Sequence, residues 1–327
     1  MIGIKDFREK QIIFAFMNDG DKISFKNDNI IITDREGAIK HQSTCYLLFA
    51  LFVVGNITIT SGILSRAQKF NFTIVLMTMN LRVYCILNSK AEGNTLLRRK
   101  QYIYNNMKLG AQIVENKMIN QRAALINLRE KSENALNAIA TIENLLDYLK
   151  KLPVDREYDR ALLSEIMGAE GLGAKAYFAA IYEDHNWIAR RPRVKEDITN
   201  CLLDIGYTLL FNLINALLEL HGFDLFVGVL HREFYHRRSL ACDLTEPFRV
   251  LVDLALLRAL NLQQINAKNF IFQQNQYRIF GKDATPYIEM FIIALLDRKD
   301  DIFLFTRNYY RSFARNEEIK PFLLKQK

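Results

Sequence analysis

Cysteine, proline and histidine are all scarce in this 327-residue chain, which holds four, five and five of them. Cys45, Cys85, Cys201 and Cys242 lie far apart with no C-x-x-C pair. That excludes a disulfide-stapled scaffold, and the four read as reduced, mostly buried thiols of a cytosolic protein. Five prolines and fourteen glycines exclude collagen-like and low-complexity designs. Long hydrophobic runs are missing too. The most apolar, Tyr46 to Gly55, is about half of the roughly 20 residues a spanning helix requires, so no membrane segment is expected. Charges on both sides of the first apolar residues argue against a signal peptide and for a cytoplasmic protein. What is present is ordinary: 50% hydrophobic and 24% charged residues, enough for a buried core, in a length that suggests two domains. Lys and Arg exceed Asp and Glu by 44 to 36, and the resulting +8 permits a polyanion partner without demanding one.

The predicted fold class is α+β in two domains. Residues 1–90 form a small β-rich domain and 91–327 a larger all-α domain. Gln11–Met17, Lys22–Phe25 and Asn29–Thr33 are Ile- and Phe-rich and separated by the turn formers Asn18-Asp19-Gly20 and Asn27-Asp28. Ser43–Val54 reads as a short buried helix, Ser61–Phe70 as another, and Phe72–Thr78 and Arg82–Leu87 as strands. Packing or dimerisation suits this unit, which offers no catalytic cluster. The polar stretch Asn88–Asn94 marks the boundary. Beyond it the helical period takes over, with Met107–Leu152 too long for one helix and breaking near Ser132. Further helices are expected over Asp159–Glu183, Thr199–Leu220, Thr245–Leu260, Tyr287–Leu296 and Phe303–Lys320.

Of the five histidines, His231 stands out. It follows Gly228-Val229-Leu230 and precedes a segment carrying two acids, Asp243 and Glu246, whose spacing of three places both on one helical face. Capping explains one of them and does not exclude metal ligation by the other. A third acid, Glu170, sits among Gly168, Gly171 and Gly173, glycines that are odd in a helix and allow close approach of a backbone or a substrate. Alternatively Glu170 merely opens a helix. One imidazole with two or three carboxylates on separate elements is a donor set for Mg²⁺ or Mn²⁺, and such an ion beside basic residues suits phosphodiester chemistry.

These strings together resemble one family. Glu170-Gly171, Ala174 and Tyr177-Phe178 look like its motif E-G-x-x-A-x-x-Y-F. Gly206-Tyr207-Thr208-Leu209-Leu210 resembles its G-Y-T-L-L helix, and Lys117 with Asn120-Gln121 its K-x-x-N-Q helix. Gly228 to His231, Ser239-Leu240, Asp243-Leu244 and Glu246-Pro247-Phe248-Arg249 resemble its later motifs. The family is that of the CRISPR-associated adaptation endonucleases, the integrases that insert new spacers. Glu9-Lys10-Gln11-Ile12 and Asn18-Asp19-Gly20 resemble versions found beside single-effector systems of the Cas-twelve kind. The resemblance implies a metal-dependent DNA endonuclease and integrase with Glu170, His231 and Glu246 as ligands of Mg²⁺ or Mn²⁺. Asp243 is then an additional catalytic acid or a cap. Position 246 is Glu where the family often has Asp. The resemblance also implies a homodimer through the β-rich domain, duplex DNA (prespacer and CRISPR repeat) as substrate, and a small ferredoxin-like adaptation partner.

DNA contacts are expected from Arg190, Arg191 and Arg193 in one basic loop, from Arg237 and Arg238 near His231, and from Arg249, one turn from Glu246. Solvated surface or pairing with nearby acids is the alternative for each. Arg232 flanks His231, and Arg307, Arg311 and Arg315 make a stripe that suits a solvated face. Two other readings compete: a DNA-binding scaffold whose acids only cap helices, and a general metal-dependent repair nuclease that cleaves without joining.

Overall fold

Short apolar runs bounded by Asn, Asp and Gly fill the first part of the chain, and they fold as strands. The structure, a computed structural model, describes residues 3–87, 94–185, 187–231, 237–315, 317 and 319–325. The expected boundary at Asn88–Asn94 therefore lies, Asn94 excepted, outside the described residues, as does Arg232. Two compact units are present: Met1–Arg98 with Asn215–Phe223, and Arg99–Ile214 with Asp224–Lys327.

In the first unit, α1 (Ile4–Arg8) precedes β1 (Gln11–Phe16). Then β2 (Lys22–Lys26), β3 (Asn29–Thr33) and β4 (Ile39–Thr44) form an antiparallel meander. Asn27 and Asp28, at φ 48° and 59°, make the left-handed pair that a two-residue hairpin turn requires. The strands β5 (Leu48–Val54), β6 (Thr73–Met77) and β7 (Val83–Leu87) join β1 in a sheet of order β1-β5-β6-β7. Within it β1, β5 and β6 run parallel and β7 antiparallel. Helix α2 (Ser61–Phe70) is the crossover from β5 to β6.

Two expectations are corrected here. Ser43–Val54 is no helix: it holds the end of β4 and the whole of β5. Every residue of β5 is buried, because a central parallel strand is covered on both faces and so reads as an unbroken apolar run without period. The α+β class with an all-α second domain is also overturned. The parallel β5–α2–β6 crossover makes the β-rich region mixed α/β, and the helical region carries a hairpin of β8 (Ile271–Gln273) and β9 (Gln276–Arg278).

The second unit is built on α4 (Lys108–Ile126), α5 (Glu133–Leu149) and α6 (Arg160–Ile181), which pack on one another. The break between α4 and α5 falls where Ser132 caps α5 by accepting the Ala135 amide at 3.1 Å. Asp159 likewise caps α6, accepting the Ala161 amide at 3.0 Å. Helix α3 (Thr95–Ile103) spans the boundary between the units, and α7 (Ile198–Glu219) belongs to the first unit from Asn215 onward. The second unit is completed by α8 (Ser239–Thr245), α9 (Arg249–Asn261), α10 (Gly281–Leu296) and α11 (Lys299–Arg315). A Cβ at Gly206 of α7 would lie 2.4 Å from Val252 Cγ1 and 3.0 Å from the Phe291 ring, so α9 and α10 approach α7 only because that residue is glycine.

Contrary to the count of continuous apolar runs, α7 is long and apolar enough to cross a membrane, with a mean hydropathy of 1.7. Most of that stretch, 78%, is buried inside the protein, so it is a core helix.

Candidate active site

Lys117 is a charged residue in the middle of α4 with its side chain only 7% exposed, which demands compensating charge. It finds two acids. Its ammonium pairs with Glu170 Oε1 on α6 and with Glu246 Oε2 at 2.6 Å. Glu246 opens the single helical turn Glu246–Phe248 that links α8 to α9. The Arg249 guanidinium lies 3.0 Å from the same Glu246 oxygen. Burial pushes the Glu246 carboxyl up, but Arg249, Lys117 and His231 outweigh it and hold the pKa at about 2. Burial pulls the Lys117 ammonium down, and Glu246 with Glu170 reverses this to a net rise.

His231 is fixed by Asp243. That carboxylate is fully buried and accepts the amides of Val229, Leu230 and His231 at 2.7, 3.0 and 3.0 Å. It also lies 2.7 Å from His231 Nδ1. With Nδ1 turned to this carboxylate, Nε2 is the ring nitrogen left to face the site, and the carboxylate fixes the ring's orientation. Asp243 is thereby spent on orientation, and it caps a loop rather than the start of a helix. Gly228 is required for this: a Cβ there would sit 2.7 Å from Asp243 Oδ2 and 2.7 Å from the His231 carbonyl oxygen.

Behind the ion pairs is a buried polar cluster; the sequence offered Tyr177 and Tyr207 as motif residues but did not show that they converge. Asp253 on α9, wholly buried, accepts the hydroxyls of Tyr207 and, at 3.1 Å, Tyr177, while Tyr182 donates to the Asp253 carbonyl at 3.0 Å. Burial raises the Asp253 carboxyl to about 6, against the lowering effects of those hydroxyls, Arg249 and Lys117. The Tyr207 ring carries Arg249 at 4.6 Å and Arg190 at 5.3 Å from its centroid. A cleft of about 440 Å³ opens beside these groups, lined among others by Lys117, Glu170, Phe178, Arg190, Glu246 and Arg249.

The predicted residues thus divide. Glu170 and Glu246 meet across Lys117, and Arg249 and Arg190 join them at the cleft. Arg190 is already paired with Asp204, and Arg191 with Glu196 at 2.7 Å. Arg193 is exposed, Arg237 Nε faces Cys242 Sγ at 3.4 Å, and Arg238 stands at the start of α8. Glu170 lies in mid-helix, not at a helix start, and Gly168 and Gly171 face open space. Among the described residues, no group of three or more His, Cys, Asp or Glu is close enough to hold a metal ion. Glu170 and Glu246 around one ammonium are nonetheless a donor chemistry that fits a hard divalent cation, whereas His231, as it stands, is not grouped with them closely enough to be the third ligand. Lys117 was visible in the sequence as part of a motif, but nothing there assigned it a role.

The fold recurs in solved structures. A casposase bound to its integration product shares the fold at a TM-score of 0.75 and 19% identity, over 96% of this chain and 94% of that one. A Cas6-RT-Cas1–Cas2 complex aligns at 0.74 and 19%, over 97% of this chain and 36% of that one. The CRISPR-associated endonuclease Cas1 1 of Thermodesulfovibrio yellowstonii is 29% identical over 239 residues, 70% of this chain and 74% of its own. Residues 15–291 match the family described as CRISPR associated protein Cas1, so the chain belongs to the Cas1 family of CRISPR-associated endonucleases and integrases.

Proposed function

We propose that the cleft beside Glu170 and Glu246 joins the 3′-hydroxyl of a short duplex DNA to a phosphodiester at the edge of a CRISPR repeat. The observation that carries this is the meeting of two acids, from α6 and from the turn before α9, over the buried Lys117, at a cleft edged by Arg190 and Arg249. Glu170, Glu246 and His231 through Nε2 would hold Mg²⁺ or Mn²⁺. The bound ion would supply a lowered pKa for the attacking hydroxyl and charge neutralisation at the phosphate. Asp243 keeps the imidazole in the required tautomer and orientation. Arg249 meets phosphate oxygens and orients the strand, while Arg190 stays with Asp204 and Asn200 and shapes the edge of the cleft. In the exchange, the incoming 3′-oxygen forms a new P–O bond. The bond to the outgoing 3′-oxygen breaks, and that oxygen takes up a proton, so the number of phosphodiesters is unchanged.

In this reading residues 1–90 form the dimerisation domain and 91–327 the catalytic one. The integration product bound by the casposase, the DNA in a TtCas1–DNA complex of TM-score 0.51 and the Cas2 of the Cas6-RT-Cas1–Cas2 complex support duplex DNA and a Cas2 protein as partners of this chain. A cytoplasmic location suits a protein that acts on a chromosomal array. Glu170→Ala and His231→Ala should each lower strand joining by on the order of a thousandfold with the fold retained, measured on labelled duplexes with a repeat-bearing target. Equal binding in chelator with no joining would favour a scaffold, and cleavage without joining a repair nuclease.

A further inference from the structure

The two acids at the site face a cation that belongs to the chain itself. Lys117 and Arg249 bring two positive charges to Glu170 and Glu246, which bring two negative ones. The set is neutral as it stands, and both the Lys117 and the Glu246 side chains are 7% exposed. A buried carboxylate and a largely buried one do not converge on one point without such compensation. Lys117 also lines the open cleft, so its flexible stem has room to carry the ammonium away from the acids.

We propose that Lys117 is an internal counter-ion of this site: it holds Glu170 and Glu246 together when no divalent ion is bound, and an arriving ion must displace it. This rests on the reading of the two acids as metal ligands, and it makes Lys117 a positioning residue that opposes metal binding. Loss of a merely structural lysine would weaken metal uptake or leave it alone. Loss of a competing counter-ion strengthens it.

The test uses the full chain and Mn²⁺ alone as probe. Lys117→Met keeps the stem and removes the charge, while Asn116 and Asn120 still anchor the same helix to the C-terminal segment. Calorimetric titration should show Mn²⁺ binding about tenfold tighter or more in Lys117→Met than in wild type. In chelator the variant should melt several degrees lower, and saturating Mn²⁺ should close that gap. Should Lys117→Met fail to fold, the double variant Lys117→Met/Glu246→Gln restores charge balance and should fold in chelator; its failure to do so would overturn the proposal. Unchanged or weaker Mn²⁺ binding in Lys117→Met, while Glu170→Gln removes the binding seen in wild type, defeats the counter-ion role alone. Wild-type Mn²⁺ uptake that Glu170→Gln leaves intact defeats the metal-site reading and this proposal with it.

Discussion

Single side chains set the limits of this site, and Gly228 is the clearest case. Its missing Cβ leaves the space into which the Asp243 carboxylate reaches to take three backbone amides and His231. Gly228→Ala should cost about 2–4 kcal/mol, as expected when overpacking also breaks a buried charge-assisted network. Urea unfolding will measure the loss, and a variant as stable as wild type would mean the loop has slack. Asp253 gives a second expectation. Its folded pKa of about 6 lies above the ordinary aspartate value of 3.8, so from about pH 4 to pH 6 the unfolded chain ionises this group while the folded one keeps its proton. Stability from this residue is therefore present at low pH, is lost as pH rises through that window, and is level above it. The size is up to about 3 kcal/mol, at 1.36 kcal/mol per unit. Compared with Asp253→Asn at pH 4, 5, 6 and 7, wild type should lose that amount; a constant difference would show that Asp253 ionises normally. His231, Asp243, Glu246 and Glu170 were legible as candidates because their types and order match motifs. Lys117 was visible only as a motif residue and Asp253 only as a possible arginine partner, because a charge inside a helix looks the same in sequence whether it meets solvent or a buried partner.

At the scale of elements, α4 does more than span the unit. Asn116 and Asn120, one turn apart, grip the C-terminal segment on either side of Lys117. Asn116 donates to the Phe322 carbonyl at 2.6 Å and accepts the Phe322 amide at 3.1 Å, and Asn120 accepts the Leu324 amide at 2.8 Å. Asn120 also donates to the Pro247 carbonyl at 3.2 Å, in the turn that bears Glu246. Phe322 is buried and its ring stacks on Phe248, centroids 4.5 Å apart. Ending the chain at Lys320 removes those three bonds to Phe322 and Leu324 and one buried aromatic, together about 5–6 kcal/mol at roughly 1 kcal/mol per hydrogen bond and 2–3 for the ring. The melting temperature should fall by about 10 °C or more, and strand joining should fall further than DNA binding, since the turn that loosens is the one carrying Glu246. Equal losses in both would place the tail's effect in stability alone. The helices α4, α5 and α6 were readable from period and caps. The hairpin β8–β9 was not, although Gln274 and Asn275 turn it at φ 52° and 57°, because three-residue strands carry too little pattern to rise above their surroundings. The strand β5 was misread for the opposite reason: burial on both faces erased its alternation.

Over the whole molecule, the excess of eight positive charges permits a polyanion partner, and the structure divides its carriers unequally. Arg190 is committed: it pairs with Asp204, donates to Asn200 at 2.9 Å and lies over Tyr207. Arg193 is exposed, and Arg191 meets Glu196 only at the surface, where such a pair is weak. Charge composition alone could not make this distinction, and the basic loop read as three equivalent arginines. The consequence is measurable by fluorescence anisotropy with a non-specific duplex over a range of salt concentrations. If Arg191 and Arg193 each neutralise one phosphate, each change to Ala should weaken binding alike on all sequences. Each should also lower the slope of log affinity against log salt by about 0.9. Arg190→Ala should instead lower the melting temperature, through the Asp204 and Asn200 partners left buried without it, and should weaken joining more than binding. Slopes that stay unchanged in Arg191→Ala and Arg193→Ala would move the DNA path off this loop. Arg249 at the cleft would then have to carry the strand.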